Sequence, residues 1–81
     1  MELNETSEMM SSEDYRERFR AEWLQVRIRI DGLEKMLEGY KYNTLKFKPS
    51  CSYQLLSSQL SAMKTYANIL EERARIEQIT L

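Results

Sequence analysis

The chain has 81 residues and a formal net charge of -1, which bounds it to one domain near the lower size limit for a self-contained core. Hydrophobic residues make up 42% and charged residues 31%, too apolar a mix for wholesale disorder, while two glycines and one proline cannot supply the turns of a sandwich or barrel. With no His and a single Cys, a zinc finger, a disulfide scaffold, a His-based acid–base site and a Cys–His dyad are excluded.

Residues 1–10 are polar, acidic and aperiodic. They read as a tail that is disordered, or as a short helix that docks only in an assembly. The rest, residues 11–81, reads as one helical hairpin domain. Ser11 followed by Asp14 resembles a capping box, and the acidic pair Glu13–Asp14 suits the positive end of a helix. A helix is predicted over residues 12–38, with Gly39 as its C-cap. Gly32 lies inside it, weakens it by about 1 kcal/mol relative to Ala, and marks a bend or the close approach of another backbone. Residues 39–50 form a connection in which Leu45 and Phe47 alternate with lysines, an extended segment pinned by two apolar anchors. Pro49 ends it, and Ser50 or Ser52 can cap a second helix over residues 51–78. Each helix would span about 40 Å. The fold class is all-α, an antiparallel two-helix hairpin.

In the first helix Phe19, Trp23, Val26, Ile30, Leu33, Leu37 and Tyr40 alternate in steps of four and three, and Tyr15 extends the row by a turn. This is a heptad seam. Leu24 and Ile28 lie off it on a second strip. The second helix carries two seams: Leu56, Leu60, Met63, Ala67, Leu70 and Ala74 form one, and Leu55, Gln59, Ala62, Tyr66, Ile69, Arg73 and Ile76 form the other. A two-helix hairpin buries one seam per helix. The surplus strips predict a homo-oligomer, because a monomer rarely tolerates so large an apolar patch and a two-helix unit is thin for stability alone. Arg73 in such an interface would need an anion, either a neighbour's carboxylate or a ligand phosphate.

Charge is unevenly placed. Residues 1–14 hold five acidic residues and no basic one, whereas residues 15–81 hold 12 basic and eight acidic ones. A body of net +4 can attract an anionic partner, although a solvated surface with a solubilising tail has the same composition. The N-terminus has no apolar h-region, no window approaches the roughly 18 apolar residues of a membrane span, and one unpaired Cys suits a reducing cytosol. The expected location is cytoplasmic, without a membrane partner.

Glu17, Glu22, Asp31, Glu34 and Glu38 have the spacing of a solvated helix face, with helical pairs such as Arg18–Glu22 and Asp31–Lys35. No base or metal set accompanies them, so no catalytic residue, metal or cofactor is expected. Cys51, near a helix N-terminus but without His or a second Cys, reads as a packed or capping residue. Tyr15, Arg16, Arg18, Arg20, Trp23, Arg27 and Arg29 interleave rings with guanidinium groups, and such groups stack on bases and grip phosphates. A packed core with solvated arginines gives the same pattern. Duplex nucleic acid is not an expected partner, since no helix has a continuous basic face and the acidic tail would repel it.

The row Tyr15, Arg18, Phe19, Glu22, Val26, Arg29, Ile30, Leu33 and Leu37, the loop with Leu45 and Phe47, and the string QLSAMKTYANILEERA at residues 59–74 resemble the hairpin of the phage anti-CBASS cyclic-oligonucleotide sponges. That hairpin is shared with some anti-Thoeris sponges and with small crAssphage-related proteins. The likeness covers about residues 12–75, and its informative positions are Tyr15, Arg18, Glu22, Gln59, Met63, Tyr66 and Arg73. The resemblance implies a homohexamer in the cytoplasm of an infected bacterium that holds cyclic di- and trinucleotide immune signals without cleaving them. It further implies that Tyr15 stacks on a dinucleotide base, that Arg29, or Arg27 in a shifted register, meets its phosphate, and that Arg73 serves a second, trinucleotide pocket. Tyr15 lies on the first seam and Arg73 on the second, so one dinucleotide is not expected to take Tyr15, Arg29 and Arg73 from one protomer. The alternative reading is a structural or protein-binding helical adaptor in which Arg73 pairs with a carboxylate. A nucleotide hydrolase is disfavoured by the missing His and metal ligands.

Overall fold

A computed structural model describes residues 2–81, and Met1 of the acidic tail lies outside the described residues. Every regular element in it is helical: a 3-10 turn Leu3–Thr6, α1 Ser7–Met10, α2 Tyr15–Lys41 and α3 Tyr53–Glu77. Cross-helix contacts fix the direction of α2 against α3. Tyr15 meets Glu77, Trp23 meets Glu71, Lys64 approaches Glu34 and the ring of Tyr40 meets Tyr53 edge-on. Rising residue numbers on one helix face falling numbers on the other, which is an antiparallel hairpin.

The core follows the first seam of each helix. Phe19, Val26 and Ile30 of α2 pack with Ala67, Leu70 and Ala74 of α3, and Trp23, Leu60 and Met63 close over them. Ile30 and Leu70 are fully buried, each contributing about 1.5–3 kcal/mol of hydrophobic stabilisation. After α3 the chain reverses through Gln78 in the left-handed region, and the Ile79 amide donates to the Ala74 carbonyl at 2.8 Å. This helix-ending turn drops Ile79 into the same core. Arg20 then secures the tail by donating from Nε to the Thr80 carbonyl at 2.7 Å.

Several boundaries differ from the sequence expectation. The first long helix begins at Tyr15 and not at residue 12, because Asp14, rather than Ser11, is its cap: the Asp14 carboxylate accepts from the Arg16 amide at 2.9 Å. Ser11 instead closes α1, and Ser12 Oγ donates to Glu17. The helix also runs past Gly39 to Lys41. The left-handed residue beyond its end is Asn43, with φ 57°, not Gly39. Gly39 is needed for space: a Cβ there would lie 2.7 Å from Leu45 Cδ2. Leu45 thus anchors the connection as expected, whereas Phe47, 59% exposed, does not. Ser52 caps α3 by accepting from the Leu55 amide. Gly32 marks no close approach of another backbone, since nothing lies within 4 Å of where its Cβ would be.

The N-terminal segment is ordered within the protomer. It packs along α2, and Thr6 is fully buried. The Thr6 hydroxyl donates to the Leu3 carbonyl at 2.7 Å and accepts from Gln25 Nε2 at 2.9 Å. Docking therefore needs no assembly. A buried threonine satisfied on both sides holds the segment where the sequence shows no hydrophobic stripe.

Candidate functional site

Two groups of polar and aromatic residues emerge from the hairpin. The first lies at the end where α2 begins and α3 finishes. Tyr15 stands one helical turn before Phe19, and their rings sit 6.1 Å apart. The Tyr15 hydroxyl donates to Glu77 Oε1 at 2.8 Å and accepts from an Arg73 guanidinium N–H at 3.1 Å. Arg73 Nε donates to Glu77 Oε2 at 3.4 Å, and its guanidinium carbon lies 5.0 Å over the Phe19 ring. The Glu77 carboxylate, by accepting the phenol's proton donation, pushes the Tyr15 pKa up, and Arg73 only partly offsets this.

Tyr15 and Arg73 therefore meet, although separate seams suggested different faces. The seam of Arg73 borders the core at this end, and its long side chain lies back across Phe19. Nor is Arg73 buried; it is exposed, and its anion comes from its own chain. Sequence reasoning passed over Glu77, although its position four residues after Arg73 was a usable helical-pair signal.

The second group lines a cleft of about 360 Å³ between α2 and α3, bounded by Glu22, Gln25, Val26, Arg29, Gln59, Met63 and Tyr66. A shallower extension reaches Leu33 and Met36. Among the described residues Arg29 has no hydrogen-bond or ion-pair partner, and it is exposed. Gln25 and Glu22 stand about one and two turns before it on α2, and Gln59, Met63 and Tyr66 follow a helical spacing on the facing side of α3. Four positions singled out in the sequence, Glu22, Gln59, Met63 and Tyr66, thus converge on Arg29. Gln25 was missed; it both lines the cleft and grips Thr6.

Arg27 does not share this cleft. Two residues along a helix turn the side chain by about 200°, and Arg27 sits half-buried away from the cleft lining. Tyr15 and Arg29 are likewise apart, by about 21 Å along α2 at a rise of about 1.5 Å per residue. Arg18 is engaged locally, donating to the Ser12 carbonyl at 2.7 Å. Cys51 is an exposed free thiol, and no group of three or more acidic or Cys side chains could hold a metal among the described residues. Among the described residues no helix is long and apolar enough to cross a membrane.

No solved structure matches the chain. A relative in Enterobacteria phage T4, described as an uncharacterized 7.5 kDa protein in the denB-rIIB intergenic region, is 37% identical over 59 residues, covering 73% of this chain and 88% of that protein. The profile of the Sequestin family matches residues 13–76, which include both long helices almost entirely. With the cleft residues and Tyr15, Phe19 and Arg73 inside that match, and Glu77 one residue beyond it, the chain belongs to the Sequestin family.

Proposed function

We propose that the chain is a phage sponge that holds cyclic di- and trinucleotide immune signals intact and so denies them to their effectors in the infected bacterium. Its family makes it a sequestering protein of the phage type, one that binds rather than catalyses. The observation that carries the ligand class is the exposed, unpartnered Arg29 in a cleft with Gln25, Gln59 and Tyr66. A guanidinium free of any carboxylate suits a phosphodiester. Two amides and the Glu22 carboxylate offer donors and acceptors for base edges, and an exposed tyrosine offers a stacking face.

The site is proposed to form between copies. Tyr15 and Arg29 are too far apart in one protomer to grip one compact dinucleotide, so the stacking ring and the phosphate ligand would come from different protomers. The outer strip of α3 supports assembly: Leu55 is 60% exposed, Ile69 54% and Ile76 66%. The accessible surface of 6040 Å² also exceeds the about 5,100 Å² usual for a compact monomer of this mass. A homohexamer is the proposed state. Mechanistically, capture is mass action: tight binding by a protein in excess lowers the free signal below what its receptor needs.

Mass spectrometry of small molecules released by heating tests this reading. Intact cyclic nucleotide is the expected product, whereas linear product would indicate hydrolysis. The same exposed strip favours a second reading, a helical adaptor that grips another protein. Recovery of no nucleotide, together with no calorimetric response to cyclic nucleotides, would favour that adaptor.

A further inference from the structure

At the open end of the hairpin the protein's own acid occupies the groups that a ligand phosphate would need. Arg73 and the Tyr15 hydroxyl converge on a single carboxylate, and Glu77 spends one oxygen on each: Oε1 on Tyr15 at 2.8 Å and Oε2 on Arg73 at 3.4 Å. A phosphodiester also presents two oxygens, and it would approach the same donors. Phe19 blocks the other face of the guanidinium, 5.0 Å away. An anion arriving at Arg73 therefore meets a site already filled by the protein's own acid.

We propose that Glu77 is an internal counter-anion that an incoming ligand phosphate must displace from Arg73 and Tyr15, which makes it a specificity-determining residue for the Arg73 site. The inference rests on the cyclic-oligonucleotide reading and adds to it. Arg73 and Glu77 are both partly solvent-exposed, with side-chain exposures of 47% and 35%, so the pair is weak enough to open. It still filters ligands. A lone phosphate gains little by replacing one carboxylate with another anion, whereas a cyclic oligonucleotide adds base contacts that repay the exchange. The hydrogen bond between Arg73 and Tyr15 extends the filter to both groups, because whichever is freed from Glu77 stays bonded to the one that Glu77 still holds.

Glu77→Gln keeps the shape and removes the charge. Calorimetric titration with cyclic tri-adenylate should show roughly two- to fivefold tighter binding than in the wild type, the size expected for releasing an exposed ion pair. Arg73→Ala in the Glu77→Gln background should erase that gain. A readout without ligand accompanies it: the Tyr15 phenol, isolated by subtracting the ultraviolet titration of Tyr15→Phe, should titrate lower in Glu77→Gln than in the wild type. Unchanged or weaker binding by Glu77→Gln, with a wild type that binds, overturns the inference and leaves the sponge reading standing. An unmoved Tyr15 titration also overturns it, since the carboxylate would not hold the phenol in solution. Absence of binding in the wild type and in Glu77→Gln alike retires the sponge reading and this inference with it.

Discussion

The roles proposed for Arg29 and Tyr15 in ligand capture are chemically distinct, so their variants should fail differently. Arg29 has no intramolecular partner, and Arg29→Ala should leave the melting temperature unchanged while weakening cyclic dinucleotide binding about tenfold or more, as expected for a lost charged hydrogen bond. Tyr15→Ala should weaken binding by about 1–3 kcal/mol through lost stacking and also lower stability, because it abandons Phe19, Arg73 and Glu77 together. Calorimetry beside thermal unfolding separates the two. The phenol adds a pH dependence. Its folded-state pKa is raised, first by donation to Glu77, so its stabilising contribution is present below the ordinary tyrosine value near 10 and fades as pH climbs through the raised value. Tyr15→Phe should therefore lose less melting temperature than the wild type as pH rises above about 10. Arg29 and Tyr15 were both legible in the sequence as residue types able to grip a phosphate and to stack on a base, respectively. The bond from Tyr15 to Arg73 was not, because a heptad assignment places α-carbons on faces and says nothing of where a long guanidinium side chain lies down.

The helices were legible because their apolar periods are long and unbroken, and the short-range devices at their ends were less so. Asp14, Ser11 and Ser12 are all competent caps by residue type; only the packing of the preceding turn decides among them. The two glycines show the same limit. Both lie inside α2, yet their roles are opposite, and that contrast is testable. Gly32→Ala adds a methyl to open space in a helix and should stabilise by about 1 kcal/mol. Gly39→Ala should destabilise, since the methyl would strike Leu45 and dislodge the anchor of the connection. Chemical denaturation of both variants checks the opposite signs. The N-terminal segment adds a third case at this scale. Thr6 is fully buried and is Gln25's partner, so Thr6→Ala should cost about 1 kcal/mol, and deleting residues 1–10 should lower stability although it removes only acidic, polar sequence. A deletion variant with unchanged melting temperature would show that the docked segment contributes nothing to the fold.

At the scale of the whole molecule, shape and charge both bear on the proposed assembly. The protomer measures 43 × 24 × 16 Å, and its narrowest dimension is less than two helix diameters with side chains, at about 10–12 Å each. A slab this thin has no interior beyond the single seam between α2 and α3, so the outer seam of α3 has nowhere in the protomer to go. Charge is polarised along the same body: residues 39–70 carry Lys41, Lys46, Lys48 and Lys64 and no acidic residue, while residues 1–14 carry only acids. Ile69 sits midway along the exposed strip at 54% exposure, touching none of the core that holds the hairpin together. Ile69→Glu should therefore leave the helical content and the Phe19–Leu70 core intact while dissociating the assembly, because a carboxylate buried unpaired at an interface costs several kcal/mol. Light scattering should report a mass that falls to the 9.7 kDa protomer, with circular dichroism unchanged. Cyclic dinucleotide binding should fall with the mass, since Tyr15 and Arg29 would then have no second copy across which to share a ligand. A variant that stays assembled would move the interface off this strip. A wild type that already runs as a monomer at micromolar concentration would leave the strip to a different protein and favour the adaptor.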